Sequence, residues 1–418
     1  MRVLFFRVKT PEEVLELLNV FEPVKPETVS IAEGLDRALS QEIIAEEDLP
    51  GFARSAMDGY AVRAKDTFGA SESIPVLLEV AGEVIMGQAP SDIITPGKAL
   101  KIATGGMIPE GSDAVVMLEY CRSLDEKTIE VNRTVSHLEN IIGPGDDLEK
   151  GVVIFERGSV LRPQDIGLLA GLGIRHVGVH KRPKVGIIST GDEIVPIERK
   201  PGPGQVRDIN SYTLSAFCRR AGAMPVDLGL CKDSFSDLKE RTVAALDASD
   251  TVWISGGSSV GARDLTRKVL ESFDKMEVLV HGIAISPGKP TILARIGNKA
   301  VFGLPGHVAS AMVIAEVFLN PFLARISGEA HAPQDNHCYQ EAELERNIES
   351  ASGRDDYIRV KLVKRNGRFF AEPIFGKSGL LSTMAQADGL LKIDRNTEGL
   401  YKGQAVRVML FYPLRGRV

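Results

Sequence analysis

Ser255-Gly256-Gly257-Ser258-Ser259, followed by Gly261 and Asp264, closes the apolar run Val252-Trp253-Ile254. A buried parallel strand that stops in glycines and hydroxyls before a helix exposes backbone N–H groups at the carboxyl edge of a sheet. Free N–H groups and a helix N-terminus favour anions there. Taken alone, such a loop reads equally well as a tight turn. Its weight comes from three loops of the same kind: Ser189-Thr190-Gly191-Asp192-Glu193, Pro287-Gly288-Lys289-Pro290 and Leu304-Pro305-Gly306.

Carboxylates surround these loops. Asp192 or Glu193 stands at the carboxyl end of a strand, where α/β folds face their ligand crevice. Asp233 holds the equivalent place after the next strand, and Asp264 follows the glycine loop. A like-charge contact at about 4 Å costs on the order of 4 kcal/mol at intermediate dielectric. Carboxylates around an anion loop therefore imply a divalent cation bridging them to phosphate oxygens. Lys289 is a fixed ammonium at the same rim, or a plainly solvated lysine. His281 and His307 flank the region, while His176 and His180 sit in a Val-Gly-Val strand and read as structural. Upstream, Asp58-Gly59 is a turn or a carboxylate at the rim of a cleft. Thr104-Gly105-Gly106 alone says only loop. Asp146-Asp147 is a solvated pair or, if converging, a ligand for a hard cation such as Mg2+.

The elements that must position these residues change along the chain. Thr10 to Val20 reads as a capped amphipathic helix and Ile31 to Leu39 as a second short one. From about Ile43 to Val131, short β-rich runs alternate with glycine turns. Pro163 to Leu172 is a helix with proline at its start. From Lys184, strands at 184–189, 224–230, 251–255 and 300–302 alternate with helices at 211–221, 235–246, 265–273 and 309–325, which argues a parallel sheet with helices on both faces. Tyr357 to Val363 alternates with period two, Asn366-Gly367 is a hairpin turn, and Phe369 begins its partner strand.

At 418 residues and 44% hydrophobic content, the chain has room for two to four domains with real cores. A net charge of −6 argues against nucleic acid as a partner. The four cysteines are widely spaced, without a C-x-x-C, and read as reduced, buried thiols. The N-terminal apolar patch is broken by Arg7 and Lys9, and no run of about 18 apolar residues is expected to span a membrane. The expectation is a cytoplasmic protein.

In order and spacing, SAMDGYAV (55–62), ATGGMIPEGSDAVVMLE (103–119), PGDDLEKG (144–151), GIISTGDEI (186–194), SGGSSVGARD (255–264), SPGKP (286–290), GLPGHVAS (303–310) and GLLSTMAQADGLLKI (379–393) resemble the molybdopterin molybdenumtransferase family, similar to the carboxyl-terminal part of gephyrin. The resemblance covers almost the whole chain. It implies a multidomain α/β plus β protein: a helical linker region (1–45 with 140–181), a β-rich domain (46–139), a three-layer α/β molybdopterin-binding domain with a parallel sheet (182–328) and a C-terminal β-barrel (329–418). It implies insertion of molybdate into adenylylated molybdopterin with release of AMP, assisted by Mg2+, in a homodimer. Other proteins of molybdenum cofactor synthesis are further partners. By motif match, Asp58, Glu193 and Asp147 are the catalytic set, with Asp58 supplied to Glu193 by a second subunit. Thr104, Ser255, Gly256, Gly257, Ser258, Gly261, Asp264, Lys289 and Pro305 bind the pterin nucleotide. Asp233, Asp264 and Glu193 hold the metal ion.

Three positions depart from the family pattern. Ile142 stands five residues before Asp147, where arginine is common, and Ser286 precedes Pro-Gly-Lys-Pro in place of a basic residue. His307-Val308 follows Leu-Pro-Gly in place of Asn-Pro. A charge-assisted hydrogen bond contributes roughly 1.5–3 kcal/mol, so such losses bear on oxyanion affinity. The alternatives are a tungstate-selective paralogue, a molybdopterin adenylyltransferase and a gephyrin-like scaffold binding a peptide. SAMDGYA and the expected barrel favour insertion over adenylylation, and the presence of Asp58, Glu193 and Asp264 argues against a scaffold without activity.

Overall fold

The computed structural model describes residues 8–256, 260–330 and 338–413, with backbone alone for 260–264. The N-terminal patch, Gly257, Ser258 and Pro333 lie outside the described residues, as does the side chain of Asp264. The chain forms two compact units: Met1–Gln41, Arg157–Pro163 and His176–Val418 in one, Glu42–Glu156 and Gln164–Arg175 in the other.

Helix α1 (Pro11–Leu17) has the expected start. Thr10 Oγ1 accepts the Glu13 N–H at 3.2 Å, and the Thr10 N–H donates to Glu13 Oε2 at 2.7 Å. The helix expected over 31–39 does not form. A 3-10 turn spans Ile31–Gly34, after which Asp36 takes φ 57° and Ala38 and Leu39 enter β-bridges with Val160 and Val179. Gly34 lies against its neighbours: a Cβ there would sit 3.1 Å from both Leu161 and Val177, so the backbone is fixed by packing rather than by helix propensity.

In the second unit, β1 (Gly59–Val62), β2 (Val76–Glu83), β3 (Lys98–Ile102), β4 (Ala114–Met117), β5 (Cys121–Ser123) and β6 (Thr128–Val131) form one sheet in the order β4-β1-β3-β2-β6-β5. Gly59 is required where β1 meets β4, since a Cβ would lie 2.0 Å from the Val116 carbonyl oxygen. Helix α2 (Pro163–Gly171) follows.

The first unit holds a second sheet of six strands, β7 (Lys184–Thr190), β8 (Met224–Cys231), β9 (Thr251–Gly256), β10 (Met276–His281), β11 (Ile292–Ile296) and β12 (Lys299–Leu304), in the order β8-β7-β9-β12-β11-β10. Four strands, β8, β7, β9 and β12, run parallel, as the strand–helix alternation argued. The antiparallel pair β11 and β10 extends that sheet beyond what the alternation suggested. Helices α3 (Asn210–Arg220), α4 (Phe235–Ala248), α5 (Val260–Leu270) and α6 (Val308–Ile314) complete the α/β layers. The core packs Trp253, fully buried in β9, beside Phe217, and Phe302 beside Phe322 with ring centroids 5.0 Å apart.

Helix α6 runs through a π-helical turn at Ala315–Leu319 into α7 (Asn320–Ile326). Pro321 has no N–H to donate to the preceding turn, and the π turn absorbs that interruption. The stretch Val308–Ile326, with a mean hydropathy of 1.4, is long and apolar enough to cross a bilayer, contrary to the expectation of no such run. Its 83% burial inside the unit makes it a core helix, because the sheet and barrel supply its apolar surroundings.

The C-terminal strands β13 (Tyr339–Leu344), β14 (Asp355–Arg365), β15 (Arg368–Pro373), β16 (Gly389–Ile393) and β17 (Ala405–Leu410) pair in the order β14-β15-β13-β17-β16, and β16 pairs back to β14, closing a barrel. Asn366 at φ 50° and Gly367 at φ 79° make the expected hairpin turn. Cys218 and Cys231 are buried as expected, but Cys121 is half-buried and Cys338, beside β13, is exposed. Burial first, then Glu119, pushes the Cys121 thiol up to about 12.

Candidate active site

The parallel register aligns the loop-forming ends of the central strands: Thr190 pairs with Gly256, and Ser255 with both Ser189 and Leu304. Asn210, at the start of α3, ties two of the loops together. Its Nδ2 donates to Ser255 Oγ at 2.6 Å and to the Gly306 carbonyl at 2.8 Å. Behind it, Ser189 Oγ donates to Asp208 Oδ1 at 3.0 Å and lies 2.8 Å from Ser211 Oγ, and the Ser211 N–H donates to the same carboxylate at 3.1 Å. These groups are all buried, so each hydrogen bond fixes a loop in place.

Two cavities open beside this edge. The first, of about 290 Å³, is lined by Gly256, Ser286 to Pro290, Gly306, His307, Arg354 and Ser378 among others, and no carboxylate lines it among the described residues. Gly288 takes φ 123°, and a Cβ there would strike Ile314 Cδ1 at 2.6 Å, so the Pro-Gly-Lys-Pro loop needs that glycine. The lead-in Ile285-Ser286 pairs in parallel with Asp355-Asp356 at the start of β14. That pairing brings Arg354 from the barrel to the cavity wall, where its Nε donates to Asp356 Oδ1 at 2.9 Å. Lys289 is exposed on the same wall.

The second cavity, also about 290 Å³, is lined by Glu193, Arg207, Asp208, Asn210 and Ser255, and shares Gly256, Gly306 and His307 with the first. His307 caps α6, and its Nδ1 lies 2.9 Å from Ser378 Oγ. The barrel loop carrying Ser378 is held from below by buried Arg359, which donates to the Gly376 carbonyl at 2.6 Å and to Thr383 Oγ1 at 2.5 Å.

Asp233 Oδ1 accepts the Thr190 hydroxyl at 2.6 Å, and the Asp233 N–H donates to Asp192 Oδ1 at 3.3 Å. Oxygen donors of this kind suit a hard cation that keeps water and phosphate as its other ligands. Among the described residues, no group of three or more His, Cys, Asp or Glu side chains forms a ready-made metal cage. His281, in β10, lines neither cavity. His180 is structural, its Nδ1 2.7 Å from the Val24 carbonyl.

The second unit carries the remaining expected residues. Asp58 Oδ1 accepts the Thr104 N–H at 2.7 Å and the Thr104 hydroxyl at 2.9 Å. The backbone bond first, and the hydroxyl second, hold the Asp58 carboxyl below the usual aspartate range. The two loops are laced by Gly105 N–H to Ser55 O at 2.8 Å and Ser55 N–H to Gly106 O at 2.9 Å. Of the carboxylate pair, Asp146 is tied by the Gly143 N–H at 2.6 Å, and Asp147 is exposed. Ile142 pairs with Arg54 across a short antiparallel ladder, so the two residues stand directly opposite each other.

Sequence reasoning missed Asn210, Arg354 and Ser378. Each lies outside the glycine loops, and two come from the barrel, so no local pattern marks them.

Comparison with known proteins identifies the family. Residues 9–173 match the "MoeA N-terminal region (domain I and II)", residues 186–325 the "probable molybdopterin binding domain", and residues 341–411 the "MoeA C-terminal region (domain IV)". The chain is similar to a putative molybdopterin biosynthesis protein of Methanocaldococcus jannaschii, at 36% identity covering 96% of this chain and 95% of that protein. It is similar to the molybdopterin molybdenumtransferase of Haemophilus influenzae, at 33% identity covering 94% and 96%. The crystal structure of the molybdopterin biosynthesis MoeA protein from Pyrococcus horikoshii superposes with a TM-score of 0.84 at 33% identity, covering 97% of this chain and all of that one. The chain belongs to the molybdopterin molybdenumtransferase family, whose members are enzymes that insert molybdenum into molybdopterin.

Proposed function

We propose that the enzyme takes molybdate and adenylylated molybdopterin as substrates, joins the metal to the dithiolene sulfurs and releases AMP. One observation carries this reading: among the described residues, the first cavity presents Lys289, Arg354 and His307, and no carboxylate, to a small guest. Such a wall suits a compact dianion. The adjoining cavity, at the carboxyl edge of β9, offers the Ser255 hydroxyl, the Asn210 amide, Arg207 and backbone N–H groups to a pterin nucleotide, beside the carboxylates Glu193 and Asp208. Because the two cavities share Gly256, Gly306 and His307, oxyanion and dithiolene would meet at that seam.

Within this reading, Ser255 to Gly261, Thr104, Asp264, Lys289 and Pro305 bind the pterin nucleotide, and Asp58, Asp147 and Glu193 serve metal insertion and AMP release. Asp233, with Asp264 and Glu193, would hold Mg2+, which offsets the charge of phosphate oxygens when bound. Asp58 reaches Glu193 from a second subunit of a cytoplasmic homodimer, and the four-domain division at 45, 139, 181 and 328 stands with it.

The test is incubation of the full chain with adenylylated molybdopterin, Mg2+ and either molybdate or tungstate while AMP is followed. AMP release that depends on molybdate and on Mg2+ is expected. Release driven only by tungstate would identify a tungstate-selective enzyme, and release without any oxyanion would overturn the coupled mechanism. Undiminished turnover after exhaustive chelation would remove the cation from the scheme.

A further inference from the structure

Replacing an oxo group of a tetraoxo dianion by a dithiolate forms two metal–sulfur bonds and breaks one metal–oxygen bond, with the oxygen leaving as water. The step balances only with protons. The dianion, the dithiolate and two protons give a trioxo dithiolene dianion and water, with no change of oxidation state. An acid is therefore needed where oxyanion and sulfurs meet. Ammonium and guanidinium groups hold their protons at neutral pH, whereas an imidazolium gives one up.

Among the described residues lining the two cavities, His307 is the one imidazole, and it lines both. Its ring is oriented by Ser378, whose Oγ lies 2.9 Å from Nδ1. That hydroxyl can accept from Nδ1–H both before and after the other nitrogen loses its proton. The opposite edge of the ring faces the turn at Gly379: a Cβ added there would lie 3.9 Å from Nε2. Gly379 lines the second cavity and Ser378 the first, so the barrel turn that holds the ring borders both cavities. Among the described residues, the charged groups lining the same cavities as the imidazole are Lys289 and Arg354 in the first and Glu193, Arg207 and Asp208 in the second, a set of mixed sign.

We propose that His307 is a catalytic acid of the insertion step. As imidazolium it gives its Nε2 proton to the departing oxo group, and water in the open cavities supplies the second proton, its hydroxide passing out to bulk solvent. The neutral ring left behind keeps Nδ1–H on Ser378. This rests on the oxyanion reading above.

The experiment is single-turnover molybdenum insertion by the full chain across about pH 5 to pH 8, the range in which imidazole titrates. It compares wild type, His307→Asn, His307→Gln and Ser378→Ala, with molybdate binding by equilibrium dialysis in parallel. The wild-type rate is expected to fall as pH rises. Both His307 variants are expected to be about 10²-fold slower at the acid end and to lose the slope. Their molybdate binding at the alkaline end should stay within about twofold of wild type, because the substitutions remove a proton donor and leave Lys289 and Arg354 in the cavity. Ser378→Ala should keep the slope at a reduced rate, because it disturbs the ring's orientation and not its proton. A His307→Asn enzyme with the wild-type slope and rate would overturn the acid role while leaving the oxyanion site standing. Failure of wild type to bind molybdate, or equal binding by Lys289→Met, would overturn the oxyanion reading itself and the acid role with it.

Discussion

Asn210 Nδ2 lies 2.6 Å from Ser255 Oγ, and the same amide nitrogen reaches the Gly306 carbonyl at 2.8 Å. One buried side chain at the start of α3 thus sets the spacing of two ligand loops that leave different strands. Asn210→Ala is expected to weaken pterin binding by at least tenfold. It should cost about 1–3 kcal/mol of stability, because a buried hydroxyl and carbonyl lose their donor. Asn210→Asp should do worse, since a carboxylate would repel the Gly306 carbonyl even if the Ser255 hydroxyl turned to donate to it. Pterin titration together with urea unfolding separates the two effects; unchanged pterin affinity in both variants would refute the spacing role.

Lys289 and Arg354 reach the same cavity with different structural obligations. Lys289 is exposed and has no ion-pair partner among the described residues, so Lys289→Met should lower molybdate affinity by about tenfold and leave stability unchanged. Arg354 also pairs with Asp356, whose side chain is 5% exposed. Arg354→Met should therefore lose both affinity and about 1–2 kcal/mol of stability, with Ser350 Oγ, at 2.7 Å, still serving the aspartate. Equilibrium dialysis with molybdate and thermal melting give the two readouts.

Asp58 and Thr104 provide a pH test. Because the folded carboxyl titrates below the usual aspartate range, its contribution is present above the unfolded value and is lost as pH falls through the folded one. Thr104→Ala removes the hydroxyl bond and keeps the N–H bond, which is the larger cause. The Asp58 midpoint should move upward only part of the way to that of an ordinary aspartate. Carboxyl carbon NMR across the acid range measures this directly, and an unmoved midpoint would show that the hydroxyl does nothing.

Arg220 grips both oxygens of Glu316, at 2.6 and 2.7 Å, from α3 into the π turn of the core helix. Burial pushes the Glu316 carboxyl above its usual range against the pull of Arg220. Arg220→Leu should cost about 3–5 kcal/mol by stranding a buried carboxylate. The deficit should be largest above the raised pKa and shrink as pH falls and the carboxyl protonates. Replacing both residues, as Arg220→Leu with Glu316→Leu, should recover most of the loss. Urea unfolding at acid and neutral pH checks the sign.

Much of the α/β unit was legible before folding. Val252-Trp253-Ile254 and Val185 to Ile188 are apolar runs bounded by glycine and hydroxyl residues, and both are buried parallel strands. Thr10-Pro11-Glu12-Glu13 announced its helix, because a capping box acts over three residues. Local pattern misled at 31–39, where Gly34 is clamped by Leu161 and Val177 from distant segments. It also missed Met276–His281 and Ile292–Ile296, strands whose partners are each other and β12.

The same division applies to the site. Glycine positions, the Pro-Gly-Lys-Pro loop and the carboxylates at strand ends are local signals, because backbone conformation and strand termini are set within a few residues. From them the sequence by itself determined the family and the fold class, and marked the sheet edge where the loops gather. Only the tertiary structure decided that a cation-lined cavity adjoins that edge. Arg354 reaches it through the parallel pairing of Ile285-Ser286 with Asp355-Asp356, and Ser378 through a barrel loop held by Arg359. Contacts between residues 70 or more positions apart, such as His307 with Ser378, leave no periodicity in the sequence, because the closure that brings them together is made by the packing of whole elements.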